Sequence, residues 1–376
     1  MGQATGLTTH AGAMRALAER WLRVRGEGEQ HAVDGDFVCS PAGLWLALGA
    51  VTAGARGETA GELEALLGLD GTDVAEGGVA GAVTDSARAL AGTRQLGVAT
   101  RVWSRTPVYR AYREALPDIR FGHMDPAEID AWVREATGGL IEELPVEIDE
   151  NSLLALVNVL ALKARWAMPF EGNATSDRPF TDAAGSVSQV PTMHQHLGAG
   201  SGWTVEGTQV VELRCEGGES AVRVRFVLGE EGARAADVLA AGWAPKERRA
   251  PIDTEMIAVA LPRLELRTTM EITPQLAALG VRYATTDHAD FSALSPEPLK
   301  IEKVVQEAVV KVAELGVEAA AVTVIMMRAA GMSRPPRVVP IAFDRPFGVV
   351  VLDGTGEVPL FTAWQASAPR GPVVGE

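Results

Sequence analysis

Apolar residues recur at helical spacing at the start of the chain, where Met14, Leu17, Trp21 and Leu22 predict a helix over Ala11 to Arg25. Ser40 followed by Pro41 is an N-cap with proline at the first helical position, which predicts an apolar helix running through Val51. Thr59 with Glu62 three residues on reads as a capping box for Ala60 to Leu67, and Asp125 opens a further helix to about Thr137. From Leu154 the pattern changes. Leu154 to Leu162 is a continuous apolar run that predicts a buried strand, and more strands are predicted over Ala221 to Leu228, Met256 to Leu266, Lys300 to Glu314 and Phe347 to Leu352. Helical runs at Arg234 to Ala241 and Ile272 to Leu279 interrupt them. Helices gathered ahead of strands favour an α+β fold with segregated layers.

Two adjoining segments carry the most information. Between Lys300 and Glu314 the even positions Val304, Gln306, Ala308, Val310 and Val312 form one nearly apolar face, with Lys303, Glu307 and Lys311 opposite. Gln306 is then a polar group on a buried face and must find partners there. Beyond Glu314 the alternation continues where a loop is expected. Val317, Ala319, Ala321, Thr323, Ile325 and Met327 are small or apolar, while Glu318 and Arg328 fall on the even face. Gly331, Ser333, Pro335 and Pro336 then end any strand. Alanine is the best helix former, so a helix is the competing reading of this segment, but Val322, Thr323, Val324 and Ile325 favour a strand.

Composition narrows the function classes. The 376 residues, 47% of them hydrophobic, contain no low-complexity linker and no internal repeat, which predicts a single domain over 1–376. A net charge of −15 offers no basic stripe to phosphates, so no nucleic-acid partner is expected. No run of about 18 apolar residues suits a bilayer, so no membrane partner is expected either. The N-terminus shows neither a basic nor an apolar signal region, and Gly6 stands where a myristoylation site needs Ser or Thr, which predicts a soluble cytoplasmic protein; a trimmed secretion signal would leave the same trace. Cys39 and Cys215 are too few for a disulfide framework and are expected to be reduced and buried. Of the 34 basic residues only five are lysines, a bias that suggests a GC-rich bacterial genome.

Catalytic motifs are scarce. His194-Gln-His196 is a weak metal pair with no third ligand at a recognisable spacing and is read as a surface turn. There is no Gly-x-Ser-x-Gly elbow and no phosphate loop. The expectation is a protein that is not an enzyme and takes no cofactor and no metal.

The run from Val305 through Glu314-Leu-Gly-Val-Glu-Ala-Ala-Ala resembles the hinge and reactive-centre loop of the serpin family of serine protease inhibitors. Other segments resemble the family in its order. They are Phe37-Val-Cys-Ser-Pro41, Gly54-Ala-Arg-Gly-Glu-Thr59, Leu156-Val-Asn158, Lys163-Ala-Arg-Trp166-Ala-Met-Pro-Phe170, Val190-Pro-Thr-Met193, Leu261-Pro-Arg-Leu264, Phe343-Asp-Arg-Pro-Phe347 and Pro359-Leu-Phe361. The resemblance runs from about Met14 to Pro369 and is weakest between His194 and Pro251. It implies three β-sheets, about eight or nine helices and an exposed reactive-centre loop over about 316–336. It also implies a shutter at Ser40, Asn158 and Gln306, where Gln306 replaces a usual His and Gly43 a usual Ser. A breach is implied at Trp166, Arg263 and Glu314, although Arg263 and Glu314 also read as an ordinary surface ion pair. Glu314, Gly316, Val317, Glu318, Ala319, Ala320 and Ala321 would form the hinge.

On that resemblance the loop is bait and spring: a serine protease cleaves it, is held as an acyl-enzyme, and the loop inserts as a new central strand. Counting fourteen residues from Gly316 puts the reactive bond at Ala330–Gly331, which suits an elastase-like or subtilisin-like protease. Arg328 and Arg334 are alternatives that would mean a trypsin-like target, and the inhibitor itself is expected to be a monomer. The competing reading is a non-inhibitory binding or scaffold protein on the same fold, favoured by Val317, Gln306, Gly43 and the unusual loop end.

Overall fold

The computed structural model describes residues 5–26, 35–71, 77–93, 95–139, 141–143, 153–162, 164–317 and 336–371. Among these are nine α-helices, three large β-sheets and one short two-stranded pairing, a mixed α+β architecture. The central five-stranded sheet runs Leu264–Glu271, Val305–Val312, Leu154–Leu162, Leu96–Ser104, Arg120–His123. A seven-stranded sheet runs Phe37–Cys39, Pro359–Gln365, Phe347–Leu352, Arg223–Leu228, Thr208–Arg214, Gly202–Val205, Ala250–Pro251. The third has the order Val338–Ala342, Met256–Pro262, Val187–Gly198, Ser176–Thr181.

Helix Pro41–Thr52 explains how the layers join. All twelve of its residues are buried, as expected of a helix that is apolar all round. It packs against strand Leu154–Leu162 of the central sheet and strand Pro359–Gln365 of the seven-stranded sheet. Ser40 starts it as the sequence predicts, its Oγ accepting from Gly43 N at 3.0 Å. The main apolar cluster draws on residues from Leu7 to Ala366. A second cluster lies on the opposite face of the central sheet, where Ile129 and Val133 of helix Pro126–Thr137 cover Trp103, Val157, Val159 and Val309.

Several boundaries differ from expectation, each for a local reason. The helix predicted from Ala60 begins at Gly57, so Thr59 and Glu62 lie inside it. Their polar groups are used elsewhere: Thr59 Oγ1 accepts from Asp290 N, and the Glu62 carboxylate accepts from the backbone N–H groups of Arg282, Tyr283 and Ala284. The run Met256 to Leu266 divides into Met256–Pro262 and Leu264–Glu271, which belong to different sheets. The strand predicted over Lys300 to Glu314 is Val305–Val312, and the face carrying Glu307 is buried rather than open to water, with Val309 in the second apolar cluster. His194 and His196 lie within strand Val187–Gly198, not in a turn, because this stretch pairs antiparallel with Met256–Pro262, His194 opposite Ala260 and His196 opposite Ala258.

Candidate functional site

The site is a seam in the central sheet and the point above it where the chain turns back. Strand Val305–Val312 pairs with Leu264–Glu271 at eight positions, but on its other side it meets Leu154–Leu162 at only three: Glu307 with Val159, Ala308 with Leu160 and Val309 with Ala161. That short pairing is also parallel, the weaker arrangement per residue. The sheet is therefore held least firmly along this line.

Ser40 and Gln306 meet on the inner side of the seam. Gln306 Oε1 accepts from Ser40 N at 2.6 Å and its Nε2 donates to Ser40 O at 2.9 Å, so one side-chain amide satisfies both backbone groups of the N-cap residue. Ser40 Oγ in turn donates to Leu360 O at 2.6 Å. Every atom of this set is buried, which answers the partner requirement read from the sequence. Asn158 sits on the neighbouring strand opposite Thr100, with its side chain outside the described residues.

Trp166, Arg263 and Glu314 come together at the top of the seam. Trp166 is 1% exposed, and its Nε1 donates to Ala313 O at 2.9 Å while its backbone N donates to Leu315 O at 3.0 Å. Arg263 donates from Nε to Glu314 Oε1 at 2.8 Å and from a terminal nitrogen to the same oxygen. Thr175 Oγ1 also donates to that oxygen, at 2.6 Å, a partner the sequence did not signal. Burial alone would raise the Glu314 carboxyl, but the hydrogen bonds from Arg263 and Thr175, with the Arg263 charge, hold it below the ordinary glutamate value.

This pair predicts a pH-dependent loss of stability. Because the folded value lies below the ordinary 4.5, the contribution of Glu314 is complete above 4.5 and is lost as pH falls through the folded value. Arg263→Ala leaves a nearly buried carboxylate with Thr175 as its remaining side-chain donor, and should cost about 3 kcal/mol at neutral pH. Urea midpoints measured across pH check this: the gap between the two proteins should close below the ordinary glutamate range, and a constant gap refutes it.

The predicted hinge begins immediately beyond. After Val312 the chain turns through Glu314 and Leu315, and Ala313 and Gly316 exchange hydrogen bonds of 2.9 and 3.2 Å. Gly316 and Val317 then run antiparallel to Ala164–Arg165, the continuation of the other seam strand. The first two residues after the turn thus occupy the place of a sixth central strand. Gly316 has φ +154, and a Cβ there would lie 2.1 Å from Ala164 O, so only glycine fits. The remaining predicted hinge positions Glu318, Ala319, Ala320 and Ala321 lie outside the described residues, as do Arg328, Ala330, Gly331 and Arg334.

A further ionic cluster lies in the seven-stranded sheet. Arg225 is 1% exposed, bonded to Glu212 Oε2 at 3.0 Å and to Gly242 O at 2.7 Å, and burial lowers its pKa to about 10 despite Glu212. Arg223 and Arg214 approach the other Glu212 oxygen at 3.6 and 3.4 Å. Cys39 and Cys215 are free and buried, and burial pushes the thiols up to about 11 and about 12. No group of three or more potential metal ligands occurs among the described residues.

A family profile described as Serpin (serine protease inhibitor) matches residues 24–365. A serine proteinase inhibitor of Cavia porcellus is 30% identical over 66% of this chain and 60% of its own length. Leukocyte elastase inhibitor of Bos taurus is 29% identical over 78% of this chain and 84% of its own length. Among solved structures, human thyroxine-binding globulin superposes with a TM-score of 0.80 at 20% identity, covering 97% of this chain and 100% of its own. The thermophilic serpin tengpin in its native state gives 0.79 at 21%, covering 95% and 93%. The chain belongs to the serpin family.

Proposed function

We propose that this single-domain serpin inhibits a serine protease by offering its loop for cleavage, holding the acyl-enzyme, and inserting the cut loop between Val305–Val312 and Leu154–Leu162. One observation carries the reading: Gly316 and Val317 already stand antiparallel to Ala164–Arg165, at the head of a seam paired at only three positions. Extending that strand from Val317 adds on the order of a dozen backbone hydrogen bonds at about 1 kcal/mol net each, so the drive exceeds about 10 kcal/mol. The uninserted state must then be held by rates rather than by equilibrium.

Ala330–Gly331 is proposed as the reactive bond, and its small residues support an elastase-like or subtilisin-like target, with a named elastase inhibitor among the relatives. The composition, poor in lysine, supports a bacterial source. Incubation with elastase, subtilisin and trypsin followed by a denaturing gel tests the reading. A covalent band of summed mass is expected with at least one of them. Clipping by all three without such a band supports a non-inhibitory binding protein, the reading favoured by a bulky Val317 where a small hydroxylated residue suits entry.

A further inference from the structure

Among the described residues Glu307 is the one acidic side chain of the seam, and it is poorly accommodated. Its side chain is 6% exposed, on the face of the sheet that carries the second apolar cluster, beside Val159 and Val309. Arg267 Nε meets its Oε1 at 3.0 Å, but that arginine is half exposed, and Oε2 has no hydrogen-bond partner among the described residues. A buried carboxylate oxygen without a donor is costly, and the cost falls on the charged form.

The neighbouring charges do not relieve it. Strand Leu154–Leu162 presents Val157 and Val159 to this layer. On its own strand the next acid–base contact is Lys311, which is engaged by Glu265 at 3.0 Å, and Lys303 is exposed. Arg101, in the same layer two strands away, lies over the Trp103 ring at 4.0 Å. On helix Pro126–Thr137, which packs on Leu96–Ser104 and Leu154–Leu162, Glu128, Arg134 and Glu135 are exposed and Asp130 is half-buried, while Glu142 and Glu143 beyond it are exposed.

We propose that Glu307 is a proton-linked catch on the seam: ionised, it loosens the pairing of Val305–Val312 with Leu154–Leu162, and protonated, it tightens that pairing. The inference rests on the reading that the sheet opens at this seam. Opening the seam admits water to the carboxylate, which relieves the ionised form and does little for the neutral one. Burial, opposed by Arg267, raises the Glu307 carboxyl above its ordinary 4.5. The closed state therefore binds the proton more tightly than the open state, and the seam gains stability as pH falls through the raised value toward 4.5. The gain is complete below 4.5, the opposite sign to Glu314. A serpin built this way resists opening in mildly acidic surroundings and releases more readily at neutral pH.

Hydrogen exchange on the intact protein tests this without any protease. The opening constant of amides 305–312 and 157–161, corrected for intrinsic exchange, should fall as pH drops from neutral toward 4.5, by at most about tenfold per pH unit, the limit for one proton. Glu307→Gln should remove that slope and lower the opening constant at neutral pH. An equal slope in both proteins, or none in the unmodified one, overturns the proposal. Because the unmodified chain alone already gives a slope or none, a variant that fails to fold does not spare it. A slope that depends on Glu307 in a protein that traps no protease would keep the catch and dismiss the inhibitory reading.

Discussion

Under the proposed inhibitory mechanism, Gly316→Val should convert the protein from a trap into a substrate that the protease simply clips, with the covalent complex reduced to a trace. The argument is steric and local. A Cβ at this position would stand 2.1 Å from Ala164 O and 2.7 Å from Arg165 Cα, both backbone atoms that cannot swing aside. A β-branched residue also resists φ near +154, where the chain stands now. The pairing of Gly316 with Arg165 and Val317 with Ala164 is then lost, and with it the first rung from which the remaining strand would zip. Insertion and deacylation compete in time, so delaying the first step diverts flux to hydrolysis. Stability of the intact protein should change far less than trapping does, because only a two-residue ladder is lost. Stoichiometry of inhibition and the gel band measure the outcome, and undiminished covalent complex would show that entry does not begin at Gly316.

Glu212→Ala should destabilise the protein by about 3–5 kcal/mol, because it strands a buried guanidinium in the seven-stranded sheet. Arg225 would keep the carbonyls of Gly242 and Gly356, but its charge would face Arg223 and Arg214 with no carboxylate between them. Replacing both partners by apolar residues of similar size, Glu212→Leu with Arg225→Met, should recover most of the loss, since a missing pair costs less than a broken one. Urea midpoints decide it: a loss under about 1 kcal/mol in the single variant would mean that water reaches Arg225.

The same cluster shows where sequence patterning stops. Arg225 lies in the strand predicted over Ala221 to Leu228, and nothing in that run marks it as covered, yet it is 1% exposed, with the carbonyls of Gly242 and Gly356 bonded to its guanidinium. Nothing within a strand announces what will cover it. The bounds of Leu154–Leu162 and Phe347–Leu352 were legible, since long apolar runs between breakers admit few alternatives. The Ser40 cap was legible for the same local reason. Gln306 was legible as a problem, a polar residue on an apolar face, but its solution lies 266 residues away and needed the family resemblance. Thr175 at Glu314 and Ala164–Arg165 at the hinge left no trace in the sequence, because register between distant strands is set by packing of the whole sheet.

The central claim is that the intact chain is held above a more stable six-stranded state. Thermal melting of intact protein against protein nicked once within 318–335 tests it most directly. Insertion worth more than about 10 kcal/mol should raise the melting temperature of the nicked form by more than about 10 °C. A nicked form that melts at or below the intact one would contradict the account.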